Sequence, residues 1–137
     1  MGKEGKCSRR QAFAAILPAE GVGLAYFLGS QKELGPRLLD GEAAAGAPES
    51  DLDLGVVFLE HPLDYWTGQG RRQDLEARLA PLFAPFKLHL LLLEEENAHV
   101  QYAAIRGIEA YSISEEFARQ YRIRALTLYG DWHSWWG

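Results

Sequence analysis

The stretch from Asp51 to Glu60, DLDLGVVFLE, constrains this chain more than any other. On an extended backbone, side chains alternate between two faces. Asp51, Asp53, Gly55 and Val57 share one face, and Leu52, Leu54, Val56 and Phe58 share the other. A strand this apolar belongs in a core, so its charged end is expected at the sheet's edge. Two carboxylates at i and i+2 point the same way, with Cβ atoms roughly 6–7 Å apart. Like charges at that spacing raise each other's pKa unless a cation lies between them. A divalent ion is the usual remedy, and oxygen ligands favour magnesium, manganese or calcium. The alternative for the same pair is a solvated strand start.

The rest of the chain supplies elements to pack around that strand. Ser8 is a candidate N-cap for a helix over Ser8–Leu17, with Phe13, Ile16 and Leu17 on one face, ended by Pro18 and Gly21. Val22–Leu28 is apolar, bounded by glycines, and predicts a buried strand. A short helix broken by Gly35-Pro36 is expected over Gln31–Leu39, and a surface loop over Gly41–Ser50. His61–Gly70, with Tyr65 and Trp66, is turn-rich. Arg71–Phe83 predicts an amphipathic helix with Leu75, Leu79, Leu82 and Phe83 inward, closed by Pro85. Lys87–Leu93 predicts a third strand, Ala98–Arg106 a short helix, and Gly107–Tyr111 a short strand. Ser112-x-x-Glu115 has the form of a capping box before a last helix, whose stripe would be Phe117, Tyr121, Leu128 and Trp132. The order α-β-α-β-α-β-α-β-α describes an α/β fold, a small mixed sheet flanked by helices.

Composition limits the classes available. With 137 residues and no linker or internal repeat, the chain is one domain over 1–137, with residues 1–7 a flexible tail. The apolar run Leu88–Leu93, interrupted by His89, is far too short for a membrane span, and no signal-peptide stretch follows Met1. A single cysteine, Cys7, excludes an internal disulfide, and a cytoplasmic location is the expectation. The net charge of −5 argues against a broad nucleic-acid surface. It leaves room for a small nucleotide, because a cation held by carboxylates offsets phosphate charge.

Gly29-Ser30 follows the first strand at once. Glycine there lets a phosphate approach the backbone, and Ser30 offers a hydroxyl; an ordinary strand-to-helix turn is the alternative. Taken together, Tyr26-Phe27-Leu28-Gly29-Ser30 and Ser50-Asp51-Leu52-Asp53-Leu54 resemble the minimal nucleotidyltransferase branch of the DNA polymerase β-like superfamily. Tyr102–Tyr111 is similar to that family's helix, R-x-G turn and short strand. The resemblance implies that Gly29, Ser30 and Lys32 contact nucleotide phosphates. It also implies that Asp51 and Asp53 hold magnesium in a two-metal site, with ATP or another NTP as substrate. The implied reaction is transfer of AMP from ATP to a hydroxyl. The implied setting is a toxin–antitoxin pair with a helical HEPN-type partner.

Three features depart from that pattern. Twenty residues lie between Ser30 and Asp51, more than the family has. Only Lys32 offers a cation just after Gly-Ser. His89 stands where the family has a third carboxylate, as a neutral base, as a nitrogen ligand, or as a histidine at the core's edge. A catalytically reduced or inactive protein that acts by binding a partner is therefore the alternative function. Three tryptophans near the C-terminus, Trp132, Trp135 and Trp136, either pack back on the domain or form an interface, for self-association or for that partner.

Overall fold

The computed structural model describes residues 8–42, 51–62 and 64–136, with side chains as far as Asp131. The proposed tail, Cys7, most of the 41–50 loop and the side chains of Trp132, Trp135 and Trp136 lie outside the described residues. Helix α1 spans Arg9–Ala19, strand β1 Val22–Leu28, α2 Leu34–Leu39, and β2 Asp51–Phe58. Helix α3 spans Tyr65–Leu79 and runs into a 3-10 turn at Ala80–Phe83. Strand β3 spans Lys87–Leu92, α4 Ala98–Ile105, β4 Ile108–Ser112 and α5 Glu115–Trp136. The strands form one mixed sheet in the order β3-β2-β1-β4. β2 pairs parallel to β3, while β1 pairs antiparallel to both β2 and β4.

Alternation in the strands divides the core into two layers. Leu52, Leu54, Val56 and Phe58 of β2 pack with Leu88, Leu90 and Leu92 of β3 against α1, α2, α3 and the 3-10 turn, through Phe13, Leu17, Leu38, Leu75, Leu79 and Phe83. On the opposite face, Leu24, Tyr26, Leu28 and Val57 meet Ala104 of α4 and Ala118, Tyr121 and Ala125 of α5. Asp51 and Asp53 belong to this second face. β2 is an internal strand, so its charged end emerges at the end of a central strand and not along an edge of the sheet.

Local chemistry places several boundaries differently from expectation. α1 is closed at its start by a reciprocal Ser8–Gln11 capping box, with both bonds at 3.0 Å. It runs through Pro18 and stops at Ala19, before Gly21 at φ +79°. Gly35-Pro36 does not break α2 but lies in its first turn, where proline's missing N–H leaves no helical bond unmade. α3 begins six residues earlier than hydrophobic periodicity indicates. Asp64 caps it by accepting from the Thr67 amide at 2.8 Å, so Tyr65 and Trp66 sit on a helical first turn and not in a loop. The cap of α5 is Ser114, which accepts from the Phe117 amide at 3.0 Å; Ser112 ends β4. Among the described side chains of α5 the buried positions are Ala118, Tyr121 and Ala125, while Leu128 is exposed. Among the described residues no helix is long and apolar enough to cross a membrane.

Candidate functional site

The site forms at one end of the sheet because β1 and β2 run in opposite directions. Leu28, the last residue of β1, is the register partner of Asp53, near the start of β2. The chain must leave β1 beside the Asp53 carboxylate, and Gly29 makes that exit. Its φ is +86°, and a Cβ added there would lie 2.6 Å from Asp53 Oδ2. Glycine is therefore required twice over, by backbone conformation and by the closeness of the carboxylate.

On the other side of β2, the parallel register sets Asp51 beside Lys87 and Asp53 beside His89. His89 Nδ1 lies 3.1 Å from Asp53 Oδ1. A carboxylate only accepts, which makes Nδ1 the donor in this bond; in the neutral ring the lone pair is then on Nε2. The His89 side chain is 51% exposed and that of Asp53 30%. Asp51 is exposed at the mouth of the site. Asp51, Asp53 and His89 thus share one open face at one end of the sheet, as alternation and register require.

The Gly-Ser segment is placed less simply. Ser30 is exposed, and the chain from Gly29 to Glu33 forms turns, with the Lys32 amide donating to the Gly29 carbonyl at 3.3 Å. α2 starts only at Leu34, so Gly29-Ser30 does not sit on a helix N-terminus. Lys32 is half-buried and lies 3.9 Å from Glu33 in a loose ion pair.

Among the described residues, no group of three His, Cys, Asp or Glu side chains is arranged to hold a metal ion. The donors available are two carboxylates from alternate positions of one strand. They fit one hard divalent cation that draws its remaining oxygens from a phosphate and water. They do not supply the third carboxylate of a two-metal site, because the neighbouring strand carries His89 at that position.

Beyond Gly29 lies a cleft of about 470 Å³, lined by Gly29, Lys32, Tyr102, Arg106, Gly107 and Tyr129 among others. The rings of Tyr102 and Tyr129 stack with centroids 3.9 Å apart and planes at 10°. The Arg106 guanidinium lies 5.6 Å from the Tyr102 centroid. Sequence reasoning assigned no ligand role to Tyr102, Arg106 or Tyr129. Tyr102 and Arg106 sit in the stretch similar to the R-x-G segment, which was the available signal; nothing local connects Tyr129 to them. Gly107 has a packing reason, since a Cβ there would lie 2.2 Å from the Phe27 carbonyl oxygen.

No protein-family model matches the chain, and no curated protein matches it in sequence. Solved structures match it in fold. One is a tri-AMPylated HEPN toxin of Shewanella oneidensis in complex with MNT antitoxin, at TM-score 0.63 and 14% identity, covering 92% of this chain and 87% of that one. A toxin–antitoxin structure with AMP-PNP matches at TM-score 0.63 and 14% identity, covering 91% and 90%. A mutant of the MntA–HpeT toxin–antitoxin pair matches at TM-score 0.64 and 13% identity, covering 91% and 89%. The fold is that of the minimal nucleotidyltransferase antitoxins.

Proposed function

We propose that this protein transfers a nucleoside monophosphate, AMP from ATP, to a hydroxyl acceptor. The observation that carries the reading is the convergence of three groups at one sheet end. Asp53 lies against the side-chain-free Gly29 turn, Asp51 shares its face two residues away, and the His89 imidazole bonds to Asp53. Gly29 leaves backbone open to a phosphate, with Ser30 and Lys32 in the turns that follow. Asp51 and Asp53 would hold a magnesium ion, which when bound neutralises phosphate charge and polarises the reacting phosphorus. The acceptor oxygen bonds to the α-phosphorus while the bond from that phosphorus to the pyrophosphate oxygen breaks. Pyrophosphate leaves, and the hydroxyl proton passes to Nε2 of His89, the nitrogen that the Asp53 bond leaves with a lone pair.

Support from outside the chain lies in its structural neighbours, one an AMPylated complex and one holding AMP-PNP. The test is calorimetry of ATP binding with and without magnesium, together with transfer of label from α-labelled ATP, for wild type and for Asp51→Asn/Asp53→Asn. Binding that needs magnesium and both aspartates is the expected result. Unchanged transfer by the double variant would overturn the reading.

A second reading is a partner-binding protein of reduced or absent activity, an antitoxin-like companion of a HEPN-type helical protein in the cytoplasm. His89 in place of a carboxylate favours it, since magnesium binds protein mainly through carboxylates. The α5 helix also exposes Ile123 and Leu126, neighbours at i and i+3 on one face, a feature suited to a helical partner or a second copy of the chain. Absence of ATP binding in the wild type, with retained complex formation, would select this reading over the first.

A further inference from the structure

We propose that a second copy of this chain docks along the outer edge of β3, strand against strand and antiparallel, about a two-fold axis perpendicular to the sheet. The contact lies on the side of β3 away from β2 and Asp53, and it does not depend on the chemistry proposed above.

The sheet ends in two edges, β3 and β4, and an edge strand offers a row of backbone N–H and C=O groups to another strand. The two edges differ. β4 is blunted: its pairing with β1 slips between Ala25–Tyr111 and Tyr26–Glu109, a bulge that leaves Ala110 without a register partner. Its charged side chain, Glu109, is held by Arg122 at 3.4 Å. β3 keeps step with β2 from Asp51–Lys87 to Val56–Leu92 without a slip, so its edge is regular. Among the described residues no loop or cap hydrogen-bonds to the backbone of Lys87–Leu92. A groove of about 250 Å³ lies along that edge, lined by Gln69, Arg72, Leu90, Leu92, Glu95 and Glu96 among others. Arg72 donates to Gln69 at 2.8 Å and to Glu76 at 2.7 Å, which makes α3 a fixed polar wall beside the strand.

Charge identifies the occupant. The edge carries Lys87 and His89 where β3 enters and Glu94, Glu95 and Glu96 where it leaves. Glu94 is engaged by Arg124 at 3.4 Å; Glu95 has His61 at 3.7 Å, and both Glu95 and Glu96 line the groove itself. An antiparallel copy brings its Lys87 to the acidic end and its own acidic end to Lys87, so symmetry makes each favourable contact twice. With the axis near Leu90, Lys87 falls opposite Leu93 of the copy, next to the glutamates. A parallel copy would set like charge on like. A lysine on an edge strand commonly guards against pairing; here the acidic end answers it in one sense only. A foreign extended peptide needs pockets for its alternate side chains, and this groove has polar and charged walls instead. The pairing joins two four-stranded sheets into one, and the axis leaves both Asp51–Asp53 pairs opening on the same face, on either side of the seam.

Sedimentation velocity of the full chain over a concentration series is the test, with every protein checked for native circular dichroism. Wild type is expected to pass from monomer to dimer below about 1 mM. Lys87→Glu, and separately Glu95→Lys/Glu96→Lys, should each weaken dimerisation about tenfold or more, because each sets like charges across the seam. The triple variant Lys87→Glu/Glu95→Lys/Glu96→Lys exchanges the two ends and should restore dimerisation to near the wild-type level. Ile123→Asp/Leu126→Asp, on the exposed face of α5, should dimerise as wild type does. Hydrogen exchange should slow at amides within Lys87–Leu92 as the dimer forms. Wild type that stays monomeric up to about 1 mM would overturn the proposal. A dimer that the charge reversals leave untouched, that the α5 variant abolishes, or that the triple variant fails to restore would overturn it too, by placing the contact elsewhere.

Discussion

Replacing Gly29 by alanine tests the construction of the site at its tightest point. Two costs are expected. The first is conformational: an alanine at φ +86° is disfavoured by roughly 1–2 kcal/mol. The second is steric, because the new methyl would lie 2.6 Å from Asp53 Oδ2. The carboxylate must withdraw by about 1 Å to reach ordinary contact distance. That movement strains or breaks its 3.1 Å bond to His89 and shifts the proposed cation ligand. Gly41 separates the two costs. It has φ +81° and nothing within 4 Å of its added Cβ, so Gly41→Ala carries only the conformational term. Urea unfolding should place both variants about 1–2 kcal/mol below wild type, with the Gly29 variant somewhat the less stable. Calorimetry should separate them sharply. Gly29→Ala is expected to lose on the order of tenfold or more in magnesium–ATP affinity, while Gly41→Ala binds as wild type does. In an Asp53→Ala background the extra cost of Gly29→Ala should vanish, since its steric partner is gone. Equal stability and equal ATP affinity for the two glycine variants would refute the reasoning.

Three further outcomes follow from packing and hydrogen bonding. Gly107→Ala should cost about 3 kcal/mol or more by urea unfolding, because its methyl would meet the Phe27 carbonyl oxygen at 2.2 Å and push α4 off the end of β1. Ser114→Ala should lower stability by about 1 kcal/mol and raise amide exchange in the first turn of α5, by removing the cap on the Phe117 amide. Tyr121→Phe should cost about 1–2 kcal/mol near neutral pH, since the Tyr121 hydroxyl donates to buried Gln101 at 2.8 Å. Burial, with Glu94 nearby, also raises the Tyr121 hydroxyl's pKa above its ordinary value. The folded state then keeps a proton that the unfolded chain releases above about pH 10, so stability should fall as pH rises past that point. Urea midpoints at about pH 9 and about pH 11 should show a smaller alkaline loss in Tyr121→Phe than in wild type.

Much of the fold was legible in the chain because its strands carry their own pattern. Val22–Leu28 is bounded by Gly21 and Gly29, and both glycines take positive φ at its ends. Asp51–Phe58 alternates cleanly, so the faces of its side chains followed from period two alone. Helix starts were harder to read. Asp64 begins α3 ahead of any apolar periodicity, because Tyr65 and Trp66 stay exposed and mark no buried face. Ser114 outcompetes Ser112 as a cap because β4 pairing holds Ser112 as the partner of Leu24.

The residues alone put Asp51 and Asp53 on a shared face, Gly29-Ser30 at the exit of a strand, and His89 two residues into another. Those are short-range facts, set by alternation and glycine's conformational range. It took the packed molecule to set β1 antiparallel to β2, which brings Gly29 against Asp53. The parallel β2–β3 register likewise sets His89 beside that carboxylate. The Tyr102–Tyr129 stack is a contact between two helices separated by β4, and its distance in the chain hides it from any local pattern. Pairing direction, register and helix docking are settled by burying the whole core at once, and no window of sequence contains that sum.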